Sequence, residues 1–399
     1  MTQSNLLNTV AELPEPEMDA LSQSNQLREF ITNLINSQSG SIGFDEYMSA
    51  ALYEPGLGYY SAGSRKFGPD GDFITAPEIS ALYSRCLARQ CAQVLENLEQ
   101  GVILELGAGT GCMAKDIMLE LERINSLPGE YQILEVSADL KQRQQSLLKE
   151  SIPQLYDHFI WLDSLPDELF SGLILANEVL DALPVKRFKK TSGTFKEMKV
   201  GVNKDQFCWI EADAIPELFN QLDELEKKLP NPFPEQYVSE INTGLTAWLD
   251  SFANILKEGV IFFIDYGYSR NEFYHPQRKD GSLLCHYRHR AHADPFIYPG
   301  LQDITASVDF TALAECAHSS GLRVSGYTSQ AYFLMACGLD EMTADLTSMD
   351  IKTQTKIAQQ IRTLTLPAEM GERFKVMALT KEYDQTLMSF SVMDQRARL

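Results

Sequence analysis

Short apolar runs alternate along this chain with stretches whose apolar residues recur every three to four positions. The clearest run is Val102-Ile103-Leu104, continued by Glu105-Leu106 and broken off at Gly107. Others fall at 131–136, 159–162, 172–176, 259–267, 322–328 and 374–380. Near-continuous apolar runs are what strands covered on both faces of a parallel sheet require. Between them the helical period dominates. Ile79, Leu82, Tyr83, Cys86, Leu87, Cys91, Val94, Leu95 and Leu98 share one face of a long helix that should pack on the sheet opening at Val102. Helices are also predicted over 26–53 (two, parted by a turn at 40–43), 113–118, 138–149, 217–229, 238–256, 309–319 and within 331–363. This alternation predicts an α/β fold, a doubly wound sheet of seven strands.

The pattern breaks in two places. About eighty residues separate the fourth run from the fifth, more than one crossover needs. Within them 196–202 and 206–210 flank Asn203-Lys204-Asp205 as a hairpin. An inserted subdomain is therefore expected at about 185–257, and a second irregular stretch at 268–308. At the other end, residues 1–25 are polar, acidic and broken by Pro14 and Pro16, which reads as a tail. Residues 26–100 read as an N-terminal helical extension with a glycine-rich loop, and 101–399 as the main domain. That loop runs into Thr75-Ala76-Pro77-Glu78, a capping box with proline in the first helical turn.

Ligands of an open α/β sheet sit beyond the carboxyl ends of its strands. Four predicted strand ends carry informative residues: Gly107 to Gly111, Glu135, Asn177 to Asp181, and Asp265 to Gly267. The first reads G-x-G-x-G, with Cys112 where a dinucleotide fingerprint has its last glycine. It suits a nucleoside bearing an amino-acid tail better than a pyrophosphate, which points to S-adenosylmethionine. Glu135 is placed to accept hydrogen bonds from both ribose hydroxyls. Glu178 and Asp181, three apart, would face one way on a helix and could grip a guanidinium bidentately. The other reading makes Asn177 the cap of that helix and its acids partners of the helix dipole. Gly71, Asp72, Phe73 and Thr75 either form a cover over the cofactor or only the approach to a helix.

Composition narrows the choice. A formal net charge of −21 argues against nucleic acid as a partner and favours a basic protein segment. No apolar run has the length of a membrane span. The seven cysteines show no C-x-x-C pairing and read as reduced thiols of a cytoplasmic protein. His286, His289 and His292 lack a ligand set with zinc spacing, so no metal is predicted.

The chain resembles the MidA-like family of S-adenosylmethionine-dependent methyltransferases, which includes the mitochondrial complex I assembly arginine methyltransferase. The likeness rests on Tyr47-Met48, Pro55-Gly56 and Gly58-Tyr59-Tyr60, on Gly71-Asp72-Phe73-Ile74-Thr75-Ala76-Pro77-Glu78, and on Glu105-Leu106-Gly107-Ala108-Gly109-Thr110-Gly111. It continues through Ala176-Asn177-Glu178, Asp181-Ala182-Leu183-Pro184, Ile264-Asp265-Tyr266-Gly267 and Asp303-Ile304-Thr305-Ala306. The resemblance implies a class I methyltransferase, Rossmann-like sheet with an N-terminal extension and an inserted subdomain. It implies S-adenosyl-L-methionine as cofactor, contacted by Gly71, Asp72, Phe73, Thr75, Glu105, Gly107, Ala108, Gly109, Gly111, Glu135 and Asn177. It assigns Asn177, Glu178, Asp181 and Asp265 to the catalytic side. The implied reaction is methylation of a protein arginine, with a complex I subunit as candidate substrate. Val179-Leu180 departs from the family, which usually has an aromatic residue after the Asn-Glu pair. A non-catalytic cofactor-binding assembly factor is the alternative; a nicotinamide oxidoreductase is disfavoured by Cys112 and the strand count.

Overall fold

The computed structural model describes residues 13–62 and 74–399. The chain forms two compact units, one from Ile74–Leu180, Thr246–Gly267 and Phe310–Leu399, the other from Met1–Phe73, Asp181–Leu245 and Tyr268–Asp309.

The first unit is built on β1 (Val102–Leu106), β2 (Glu130–Leu134), β3 (Phe159–Leu162), β4 (Phe170–Asn177), β5 (Leu256–Tyr268), β6 (Arg323–Ser329) and β7 (Phe374–Lys381). They lie in the order β3-β2-β1-β4-β5-β7-β6. From β3 to β5 the neighbours are parallel, whereas β7 runs antiparallel to both β5 and β6. These seven strands, along the main path of an eight-stranded sheet, have the doubly wound arrangement the hydrophobic pattern predicted. The pleat sends Ile103, Tyr131, Ile133, Leu173, Leu175, Val260 and Phe262 into one core. That core also takes buried residues of α1 (Ala81–Leu95) and α2 (Cys112–Arg123). The opposite face is covered by the helix Leu245–Ile255, whose Trp248 ring lies 5.8 Å from Phe263. Gly172 and Gly259 are paired across β4 and β5 because the backbones leave no room for more: a Cβ on Gly172 would lie 1.9 Å from the Val102 carbonyl oxygen.

The second unit is largely antiparallel. Strands Ser41–Ile42, Thr194–Asn203, Lys186–Thr191 and Val238–Ile241 pair in that order, and Gln206–Asp213 pairs with Thr194–Asn203. A three-stranded sheet, Arg290–His292, Leu284–Tyr287 and Asp303–Thr305, accompanies it. The helices Met18–Ser37 and Phe44–Tyr53 give Leu27, Ile31, Ile35, Tyr47 and Met48 to a core shared with Val200, Phe207 and Ile304.

Several boundaries differ from the sequence reading. The first helix starts at Met18, inside the stretch read as tail. The division falls after Phe73, so α1 belongs to the sheet unit and the N-terminal helices join both insertions. The long helix is interrupted, because Gln360 Nε2 caps the Ile79 carbonyl at 2.6 Å and Ser80 Oγ accepts from Leu82 N at 3.3 Å to start α1. The Thr75 side chain makes no cap bond. The helix expected over 238–256 is a strand, Val238–Ile241, followed by the helix Leu245–Ile255. Among the described residues no helix is long and apolar enough to cross a membrane.

Candidate active site

β1 ends in a turn that only glycine accommodates without strain. Gly107, Gly109 and Gly111 all take positive φ, at 62°, 55° and 84°. Gly107 N still donates to the Leu134 carbonyl of β2 at 3.0 Å, Gly111 N folds back to the Ala108 carbonyl at 2.8 Å, and the Gly111 carbonyl accepts from Lys115 N at 3.0 Å as α2 begins. Among the described residues, a methyl on Gly107 would meet only Val179 Cγ2, at 3.8 Å. At Gly107 the turn therefore presents bare backbone that no described residue crowds, which fits a nucleoside laid against it. Ala108 is buried in the turn. Cys112 opens α2, but burial pushes its thiol up to about 11, so it is no thiolate nucleophile at neutral pH.

The neighbouring strand tips flank this turn. β2 and β4 both border β1, with Leu106 opposite Leu134 and Ala176, so their tips lie about 10 Å apart. Glu135 is buried at the tip of β2. One carboxylate oxygen accepts from Ser137 N at 2.9 Å and the other from Gln144 Nε2 at 2.9 Å. Gln144, on α3 (Ala138–Ser151), also donates to the Gly109 carbonyl at 2.9 Å.

At the tip of β4, Tyr83 Oη donates to Asn177 Oδ1, and Asn177 Nδ2 donates to Glu178 Oε1 at 3.3 Å. Burial, then the charges of Glu178, Asp265 and Glu105, pushes the Tyr83 phenol well above its usual range, so it stays a donor. Glu178 takes φ 55°, a left-handed conformation that costs a side chain with a Cβ about 1–2 kcal/mol. Its N–H donates to the Ile264 carbonyl of β5 at 2.8 Å.

The remaining candidates make other contacts. Glu105 turns into the core, where Tyr131 Oη donates to it at 2.7 Å. Burial raises its carboxyl to about 7, opposed by that hydrogen bond and helped by the Glu135 charge. Asp265 is buried, with Oδ2 accepting from Leu180 N at 2.9 Å and Oδ1 from Tyr266 N at 2.8 Å, so it fixes backbone at the β5 tip. No helix follows Asn177: residues 178–183 are bends and turns. The helical premise for pairing Glu178 with Asp181, and for Asn177 as a cap, is thereby corrected. Asp181 belongs to the second unit, where its charge and that of Asp303 bear on Tyr53 and Tyr60 and its carbonyl accepts from Ala306 N at 2.9 Å. Thr75 heads the one-turn helix Ala76–Ile79, its carbonyl accepting from Glu78 N at 3.0 Å. Gly71, Asp72 and Phe73 lie outside the described residues. His286 and His292 flank a hairpin turn at Arg288-His289, and among the described residues no group of His, Cys, Asp or Glu is arranged to hold a metal. Sequence reasoning missed Gln144, a polar residue in a polar helix, and took Tyr83 for an apolar-face residue of α1.

The sequence profile of an S-adenosyl-L-methionine-dependent methyltransferase family matches residues 86–328. The chain belongs to this family. Its fold is shared with a crystal structure from Burkholderia thailandensis bound to S-adenosyl-homocysteine, 39% identical, with a TM-score of 0.91 over 97% of this chain and 100% of that one. It is 28% identical to the protein arginine methyltransferase NDUFAF7, mitochondrial, of Danio rerio, over 86% of this chain and 84% of that protein. The same-named protein of Homo sapiens is 28% identical over 86% of this chain and 80% of its own length. The chain is thus a class I, S-adenosyl-L-methionine-dependent methyltransferase. The expected cytoplasmic location is corrected by these relatives, which are named mitochondrial. That the seven cysteines are free does not say which compartment holds the chain.

Proposed function

We propose that this methyltransferase modifies the guanidinium of an arginine in a protein, with Glu178 as the residue that receives it. The observation that carries the reading is the Glu178 carboxylate, held at a strained φ of 55° beside the glycine turn and bonded by Asn177. Strain kept at a strand tip next to a ligand seat is most simply understood as serving the ligand. In this reading the glycine turn and Glu135 hold the nucleoside, and Asn177 aims the carboxylate. Bound S-adenosyl-L-methionine supplies an electrophilic methyl group on a sulfonium. Glu178 accepts two hydrogen bonds from the guanidinium, draws its positive charge onto those nitrogens, and leaves the third more nucleophilic. The proton that nitrogen sheds on methylation is released to solvent. Alignment of the two reacting groups contributes on the order of 7–11 kcal/mol.

The relatives named as protein arginine methyltransferases support a protein acceptor, and a net charge of −21 suits a basic segment. A subunit of respiratory complex I is the acceptor we propose to test first, and no metal is proposed. The test is transfer of tritium from labelled S-adenosyl-L-methionine to purified complex I subunits. Label in methylarginine supports the reading. Transfer that is undiminished in Glu178→Gln, when that variant binds S-adenosyl-homocysteine normally, counts against it.

A further inference from the structure

We infer that Gln144 is a positioning residue for cofactor binding, its single amide tying the glycine turn to Glu135 so that the two form one preformed seat. The inference rests on the reading that the turn and Glu135 hold the nucleoside. Gln144 is fully buried although its helix is polar. A primary amide has two N–H donors, and both are used: one on the Gly109 carbonyl and one on Glu135 Oε2, each at 2.9 Å. Which end of the amide faces the seat is not left to chance. Trp161 Nε1 on β3 donates to Gln144 Oε1 at 3.0 Å, and an indole N–H can only be met by the oxygen. The indole therefore turns the NH2 end toward the turn and the carboxylate. Gly111 belongs to the same device, since a Cβ there would lie 3.3–3.4 Å from Cα, Cβ and Cγ of Gln144. Its lack of a side chain brings α3 close enough for the amide to reach both acceptors.

A hydrogen bond to a charged acceptor is worth more than one between neutral groups, and a donor aimed at Glu135 fixes its rotamer before ligand arrives. Without the amide, the carboxylate must be oriented at the moment of binding and the Gly109 peptide loses its brace. A glutamate at this position would set a second carboxylate against Glu135, with Glu105 as the further acid behind it.

The experiment is calorimetric titration of the full chain with S-adenosyl-homocysteine. Gln144→Met should weaken binding about tenfold to a hundredfold. Because Gln144 acts through Glu135, Gln144→Met combined with Glu135→Gln should be weaker than Glu135→Gln alone by less than the single change predicts. Gln144→Glu gives a signature that lost packing does not: its Kd relative to wild type should be worst at pH 8. It should recover toward pH 5, where a shared proton restores the donor. Binding by Gln144→Met within about twofold of wild type, while Glu135→Gln or Gly109→Val loses affinity, overturns the inference alone. Additive losses overturn it too. Normal binding by both Glu135→Gln and Gly109→Val overturns the reading beneath it. Should Gln144→Met fail to fold, the pH series of Gln144→Glu decides, and a constant ratio to wild type is the contrary result.

Discussion

Glu105 sits at the end of β1 in a place that charges a penalty for ionisation, and this makes stability depend on pH in a calculable way. Burial raises its carboxyl from 4.5 to about 7, against the single hydrogen bond from Tyr131. Between those two values the folded chain holds a proton that the unfolded chain has released. Stability contributed by the neutral form is therefore complete below pH 4.5 and lost as pH rises through 7. At about 1.36 kcal/mol per pKa unit the loss is about 3 kcal/mol. Glu105→Gln keeps the shape and the acceptor for Tyr131 but cannot ionise. Relative to wild type the variant should gain about 3 kcal/mol between pH 4.5 and pH 8.5, with most of the gain reached by neutral pH. Urea unfolding followed by tryptophan emission measures it. A Trp209→Phe background removes the tryptophan of the second unit and leaves Trp161 and Trp248 in the sheet unit. Stability differences that stay flat across that pH range would refute the assignment of Glu105 as a buried, largely neutral acid.

Two further outcomes follow from backbone geometry. Glu178→Asn should raise stability by about 0.5–1 kcal/mol, because asparagine tolerates the left-handed region, while methyl transfer falls; both are read by urea unfolding and a tritium assay on one preparation. A stability loss with turnover kept would contradict the strain reading. Gly172→Ala should cost at least the upper end of roughly 1–3 kcal/mol, since its Cβ meets backbone of β1 and not a movable side chain. A thermal midpoint equal to wild type would show that β4 can shift without cost.

The sheet was legible because buried parallel strands leave long apolar runs, and 259–267 or 172–176 have no other use for so many apolar residues. The second unit was less so. Lys186–Thr191 reads as a cationic stretch, yet Phe188 is buried while Lys186 and Lys190 pair with Glu197 and Glu226. The hairpin at Arg288-His289 turns on two left-handed residues that are neither glycine nor asparagine, so it left no turn signal. Val238–Ile241 was absorbed into the following helix because four residues carry too little period to separate a strand from a helix. In the candidate site, the glycine turn and Glu135 were suggested by spacing. Gln144 and Tyr83 were not, since their partners come from distant positions and their residue types have ordinary uses in helices. Asp181 misled for the converse reason: three residues in sequence separate it from Glu178, but without a helix that spacing sets no common face.

The most direct test of the account is the identity of the methylated residue. Tritium from S-adenosyl-L-methionine, transferred by the wild-type chain to purified complex I subunits and followed by acid hydrolysis and amino-acid separation, should appear in methylarginine. It should fall to background in Glu178→Gln, with S-adenosyl-homocysteine affinity retained. Label in any other amino acid, or undiminished label in that variant, would contradict the account.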